Sequence, residues 1–172
     1  MRPKQLGGKL TPKLKEDYSR SPQWKGDKFY NYERTGVDIG IKDAPKMLQK
    51  LFFDKSGRAP VKPLPILPFD KAAFLAPSDE CKFIWFGHSV VLMRLNGKTI
   101  LIDPMFGPNA APIAPFKVER FSSNTLAIID QLPTIDLVLL THDHYDHLDL
   151  ASIQLLKPKV KEYYVALGAS RH

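Results

Sequence analysis

The chain has 172 residues, 44% of them hydrophobic, and a formal net charge of +7 from 25 Lys/Arg against 18 Asp/Glu. That is enough for one globular domain with a real core and short for two. The single cysteine, Cys81, excludes an intramolecular disulfide and a cysteine-built zinc cluster, so histidines and carboxylates would have to hold any metal. Met1 to Leu14 lacks the apolar core of a secretory signal, and the aliphatic run Leu137 to Leu140 is far too short to span a bilayer. A cytoplasmic protein, at most peripheral to a membrane, is expected.

Residues 1–80 read as a basic, proline-rich arm holding 16 of the 25 Lys/Arg, 10 of the 18 Asp/Glu and nine of the 15 prolines. Pro60, Pro63, Pro65 and Pro68 cannot donate ladder hydrogen bonds, so the arm is expected to wrap or link rather than form sheet. One helix is predicted in it, with Asp43 as cap, Pro45 in the first turn and Met47, Leu48, Leu51 and Phe52 as an apolar face that docks on the domain. The basic excess would attract a phosphate-rich partner. Its lysines are scattered, which fits a solvated segment better than a binding stripe, so nucleic acid is the less expected partner and an anionic membrane a peripheral one.

From Cys81 onward short apolar runs alternate with sharp turns. Strands are predicted over Lys82 to Phe86, Val90 to Leu95 and Thr99 to Ile102, the last two joined by an Asn96-Gly97 hairpin turn. A Pro- and Ala-rich loop, Pro104 to Pro115, precedes a short helix from Thr125 to Gln131, capped by Ser123 or Asn124 and stopped before Pro133. A buried strand, Asp136 to Leu140, then leads into Thr141-His142-Asp143-His144-Tyr145-Asp146-His147-Leu148-Asp149. Asp149 can cap a helix through Leu150, Ile153 and Leu156 that Pro158 ends, and a last strand, Glu162 to Val165, precedes Gly168. The fold class is α/β, a mixed sheet with helices on its outer face and function at the carboxyl end of a strand.

Three of the five histidines fall within residues 142–147. In an extended stretch side chains alternate, so His142 and His144 point to one side and can close on one ion, while Asp146 and His147 follow after a turn. Imidazole and carboxylate donors without thiolate suit zinc, and also iron or manganese, with a position left for water. Such a site does hydrolysis, a metal or metal pair activating water, with Asp146 able both to bind metal and to handle the proton of that water.

His142-x-His144-x-Asp146-His147 resembles the signature of the metallo-β-lactamase superfamily, whose architecture is an αβ/βα sandwich. Trp85-Phe86-Gly87-His88-Ser89, Ile100 to Phe106, Pro133 to Leu140 and the Thr141 to Asp149 run resemble the branch containing the phospholipase D that hydrolyses N-acyl-phosphatidylethanolamine. Ser21-Pro22-Gln23-Trp24 and Phe29-Tyr30-Asn31 are similar to that branch as well. The resemblance implies two ions, zinc first, one on His142 and His144 and the other on Asp146 and His147. It implies that Asp103 braces the metal loop, that His88 lies near the pocket, and that His172 is a weak candidate for substrate contact. As bare sequence features Asp103 and His88 are equally turn residues, and His172 an exposed chain end.

In the family, a further histidine for each ion and a bridging aspartate come from the second half of the sandwich. The chain is therefore expected to hold the first half, residues 81–172, with marginal stability or self-association through the uncovered sheet. Alone it would bind metal weakly and hydrolyse little. The leading expectation is a phosphodiesterase acting on N-acyl-phospholipid-like substrates. The alternatives are a lactonase of the same superfamily and a non-catalytic half-domain that binds nucleic acid or anionic membrane through the arm.

Overall fold

The computed structural model describes residues 7–33, 44–53, 57, 59–111 and 118–169. They divide into two compact units, Leu10–Pro63 and a larger one made of Met1–Lys9 with Leu64–His172.

In the smaller unit, helix α1 (Pro12–Ser19) starts where Leu14 N donates to Thr11 Oγ1 at 3.3 Å and Pro12 occupies the first turn. Tyr18 is buried against the rings of Trp24 and Phe29, each 5.3 Å away, and those two rings are 4.8 Å apart. Trp24 and Phe29 are cross-strand partners in a two-stranded antiparallel ribbon, β1 (Trp24–Lys25) and β2 (Lys28–Phe29), that turns at Gly26 with φ 67°. The expectation of no sheet in residues 1–80 is corrected here: an aromatic pair across a glycine turn suffices for a two-residue ribbon. Helix α2 (Ala44–Phe53) covers the predicted helix. Asp43 and the side chains of Met47, Leu51 and Phe52 lie outside the described residues, and Leu48 and Phe53 are exposed.

The larger unit takes in part of the expected arm, because Phe69 and Phe74 pack into the core. Asp70 Oδ1 accepts from Ala73 N at 2.9 Å to start α3 (Lys71–Leu75), which buries Phe74. One sheet follows, with strands in chain order: β3 (Lys82–Trp85), β4 (Val91–Leu95), β5 (Lys98–Ile102), β6 (Ile135–Leu140) and β7 (Val160–Val165). The first three pair antiparallel and the last three parallel. Asn96 (φ 47°) and Gly97 (φ 72°) are both left-handed, as a two-residue hairpin turn requires.

Between β5 and β6 a 3-10 turn (Thr125–Ala127) runs into α4 (Ile128–Gln131). Neither Ser123 nor Asn124 caps it through a side chain. Asn124 instead supplies a left-handed backbone (φ 57°, ψ 27°), which asparagine tolerates better than most residues. Between β6 and β7 lies α5 (Leu150–Leu156), whose amide ends bind Asp149.

Register places Leu92, Leu101 and Val138 side by side on one sheet face, all fully buried, and Ile129, Leu132, Leu148 and Leu156 join the same core. The helices thus cover one face. The opposite face carries Phe83, Met93, Ile100 and Leu137 in one cross-strand row and Trp85, Val91, Ile102, Leu139 and Tyr164 in the next. Phe83 is 71% exposed and Trp85 66%. A mixed five-stranded sheet with helices on one side is consistent with the expected metallo-β-lactamase-like α/β fold class. No described helix is long and apolar enough to cross a membrane.

Asp136 ties β5 to β6 and β7: it accepts from Thr99 N at 2.9 Å and Lys161 Nζ at 2.7 Å. The Lys161 bond first, then the Thr99 amide, holds its carboxyl below the usual range. A depressed carboxylate stabilises the fold above the unfolded-state value of about 4 and loses that contribution as pH falls through its lower folded value. Lys161→Ala is expected to cost under about 1 kcal/mol at neutral pH in urea unfolding. The difference from the parent should shrink as pH falls below the unfolded carboxylate value and vanish once Asp136 is protonated in the folded state.

Candidate metal centre

Because β5 and β6 run parallel, their carboxyl ends lie together, and each delivers a functional residue at its last step. Asp103 follows β5 at φ 44°, is 3% exposed, and its N–H continues the ladder to Leu139 O at 3.0 Å. Its Oδ1 accepts from Thr141 N at 2.8 Å. Its Oδ2 accepts from Thr141 Oγ1 at 2.7 Å and faces His147 Nδ1 at 2.8 Å. An ionised carboxylate only accepts, so His147 carries its proton on Nδ1 and presents the lone pair of Nε2. Thr141 has given its one hydroxyl proton to Asp103, so the 2.9 Å contact with His142 Nδ1 has the imidazole donating, which frees Nε2 of His142 too.

After Thr141 the chain leaves the sheet and turns, with His147 N and Leu148 N both bonded to His144 O at 3.0 and 2.9 Å. The ring of His142 stands 4.6 Å from that of His144 and 4.0 Å from that of His147. Asp146 projects toward the β3–β4 turn and accepts on Oδ2 from His88 Nε2 at 3.0 Å, with His147 Nε2 at 3.7 Å. Burial alone would raise the Asp146 carboxyl, but the His88 hydrogen bond, a backbone bond and the nearby imidazoles outweigh it and hold the group below the usual range. Asp146 is therefore an anion at neutral pH.

The loop is pinned at its far end by Asp149, 2% exposed, which accepts from Ala151 N, Ser152 N, Ser152 Oγ and Tyr145 OH. Burial, and then the bond to Asp149, push the Tyr145 phenol up to about 12. Arg120 braces the other side, its two terminal nitrogens donating to Phe86 O and Met105 O. Burial lowers the affinity of its guanidinium for the proton, partly offset by Asp149. A cleft of about 1180 Å³, with Leu64, Ile66, Phe69 and Phe74 on its apolar wall, reaches His88 and Asp146.

The structure thus brings His142, His144, Asp146 and His147 into one loop hung from Asp103, and sets His88 against Asp146. His172 lies outside the described residues. Sequence reasoning did not single out Ser89, whose hydroxyl lies 3.0 Å from Asp146 O and 3.2 Å from Asp103 O, although it stands in the Gly87-His88-Ser89 step. Nothing in the sequence marked Arg120, whose partners are backbone carbonyls 34 and 15 residues away.

The donor chemistry fits a metal ion. Two imidazoles have Nδ1 occupied and Nε2 free, and ligand atoms of His88, Asp146 and His147 lie within 4.8 Å of one another, the one such group of three or more among the described residues.

Residues 98–172 match the family model described as beta-lactamase superfamily domain. A UPF0173 metal-dependent hydrolase of Sulfolobus acidocaldarius is 42% identical over 77 residues, 45% of this chain and 28% of that one. The N-acyl-phosphatidylethanolamine-hydrolyzing phospholipase D 1 of Caenorhabditis elegans is 32% identical over 90 residues, 51% of this chain and 25% of that one. Among solved structures, the diiron β-hydroxylase CmlA from Streptomyces venezuelae overlaps at a TM-score of 0.34 with 28% identity, covering 51% of this chain and 15% of that one. An uncharacterised protein of Mycobacterium tuberculosis matches 89% of the chain at 24% identity, and the chain spans only 41% of its length. Over residues 98–172 the chain is thus similar to the beta-lactamase superfamily domain.

Proposed function

We propose that the chain supplies metal- and water-handling residues of a metal-dependent hydrolase, with zinc as the metal, acting on a phosphodiester in an N-acyl-phospholipid-like amphiphile. The observation that carries this reading is the apolar cleft that ends at His88 and Asp146 beside the histidine loop. Pockets for small molecules are commonly about 300–1000 Å³ and mostly apolar with a few convergent polar groups; this cleft, at about 1180 Å³, has room for a hydrocarbon-bearing substrate. The relationship to a hydrolase of N-acyl-phosphatidylethanolamine supports the same substrate class.

His142, His144, Asp146 and His147 would hold the metal. When bound, it would supply Lewis-acid stabilisation of an oxyanion and lower the pKa of a bound water to about 7. Asp103 orients His147 directly and His142 through Thr141. Asp146, ionised at neutral pH, is placed to take a proton from attacking water. The basic excess of residues 1–80 by itself favours an anionic surface.

The test is hydrolysis of N-acyl-phosphatidylethanolamine in mixed micelles, beside an acyl-homoserine lactone, by the purified protein loaded with zinc, iron or manganese. Turnover is expected to be slow but metal-dependent, on the phosphodiester, and reduced about 100-fold by Asp146→Ala. Lactone opening without phosphodiester cleavage would move the assignment to a lactonase. Metal-independent vesicle binding with no turnover on either substrate would leave a binding module.

A further inference from the structure

The cluster at the ends of β5 and β6 has one member from a distant part of the chain. His88 lies 58 residues before Asp146, in the β3–β4 turn, yet its Nε2 is 3.0 Å from Asp146 Oδ2. Several restraints put it there. Gly87 (φ 86°) and His88 (φ 49°) are both left-handed, a conformation that costs a non-glycine residue about 1–2 kcal/mol. Trp85 Nε1 donates to His88 O at 2.9 Å, Ser89 Oγ contacts Asp146 O, and Arg120 holds Phe86 O at 3.0 Å. An ordinary turn residue needs none of this.

On the other side of the carboxylate, His147 Nε2 is 3.7 Å from the same Asp146 oxygen, and Asp103 holds its Nδ1 so that Nε2 is the available donor. Donors to one zinc ion lie about 2.0–2.2 Å from it, so donors around a common ion stand up to about 4 Å apart. One ligand atom from each of His88, Asp146 and His147 falls within 4.8 Å of the others, an arrangement that needs only a small contraction to close. Catalytic zinc takes three protein donors and keeps a fourth position for water. Asp146 and His147 alone would provide two.

We infer that His88 is a metal ligand, the third protein donor of a His88–Asp146–His147 site for a borderline divalent cation such as zinc. The inference rests on the metal-dependent reading above and adds a residue to it. His142 and His144 lie outside this three-residue group, and binding at His88 does not need them.

The direct test uses the 172-residue protein labelled with ¹⁵N at histidine and titrated with ¹¹³Cd²⁺, a spin-active stand-in for zinc. A one-bond ¹⁵N–¹¹³Cd coupling at His88 Nε2 and His147 Nε2 is expected, together with at least a tenfold weaker zinc affinity by competition calorimetry in His88→Gln. The coupling is read on the parent chain, so it does not depend on that variant folding. Couplings confined to His142, His144 or His147, with zinc affinity in His88→Gln within twofold of the parent, would overturn the inference while leaving the metal site standing. No coupling at any histidine and no stoichiometric metal would overturn this inference and the metal-dependent reading together.

Discussion

Asp103→Ala is expected to lower unfolding stability by about 3 kcal/mol in urea titration, more than any surface substitution in the chain. The carboxylate is 3% exposed and serves three donors: the Thr141 amide, the Thr141 hydroxyl and Nδ1 of His147. Truncation leaves these without their acceptor, at about 1–3 kcal/mol for each group that water cannot reach; Thr141 is exposed, which trims the total. The left-handed backbone at φ 44° adds to the cost, because alanine tolerates it less well than aspartate. Asp103→Asn should cost less, since an amide oxygen can still accept from the Thr141 N–H. Its NH₂ would then confront His147 Nδ1–H and force the other tautomer, so metal affinity should fall even where stability does not. Stability within 0.5 kcal/mol of the parent for Asp103→Ala would mean that the histidine loop is held by something other than this carboxylate.

The second large effect is expected at Gly107, buried where the chain passes the start of α5. A Cβ there would sit 2.6 Å from Asp149 Oδ2 and 2.9 Å from its Cγ. Asp149 cannot swing aside cheaply, because both of its oxygens are engaged by Ala151 N, Ser152 and Tyr145 OH. Gly107 needs no left-handed backbone, so the penalty is one of space alone. Gly107→Ala should cost about 2–3 kcal/mol, combining overpacking with a weakened helix cap. The same change should bring the Tyr145 phenol down from about 12 toward the ordinary value near 10, as its bond to Asp149 loosens. Ultraviolet titration of the phenolate reads that shift, and an unchanged titration with unchanged stability would show that Asp149 gives way freely.

Much of the larger unit was legible because its signals are local. Asn96-Gly97 allows the left-handed pair its hairpin needs, Asp149 caps the helix it precedes, and Pro158 follows that helix into a 3-10 turn. Where backbone preference and side-chain chemistry pointed different ways, local reading chose wrongly: Asn124 has the side chain of a cap and is used for its backbone. The ribbon of Trp24 and Phe29 escaped because two-residue strands leave no alternation to detect. The histidine loop was conspicuous by composition, but its supports were not. Asp103 reaches Thr141 and His147 across 38 and 44 residues, His88 reaches Asp146 across 58, and Arg120 binds main-chain oxygens, which carry no sequence identity at all. The sequence thus displays most of the candidate donors in one segment, whereas His88 and the carboxylate that orients the imidazoles come from others.

The sheet has its strands in the same order in space as along the chain, β3 to β7 without interruption. No strand has to be threaded between two that are already paired, so each can be added to a free edge as the polypeptide lengthens. The antiparallel trio from Lys82 to Ile102 closes through short turns and can form first, at small loop entropy. The join from β5 to β6 spans more than thirty residues and is the slow, non-local step. Until it is complete the row of amides and carbonyls along β5 stays open, and this interval is when a newly made chain is most vulnerable to pairing with a neighbour instead of with itself.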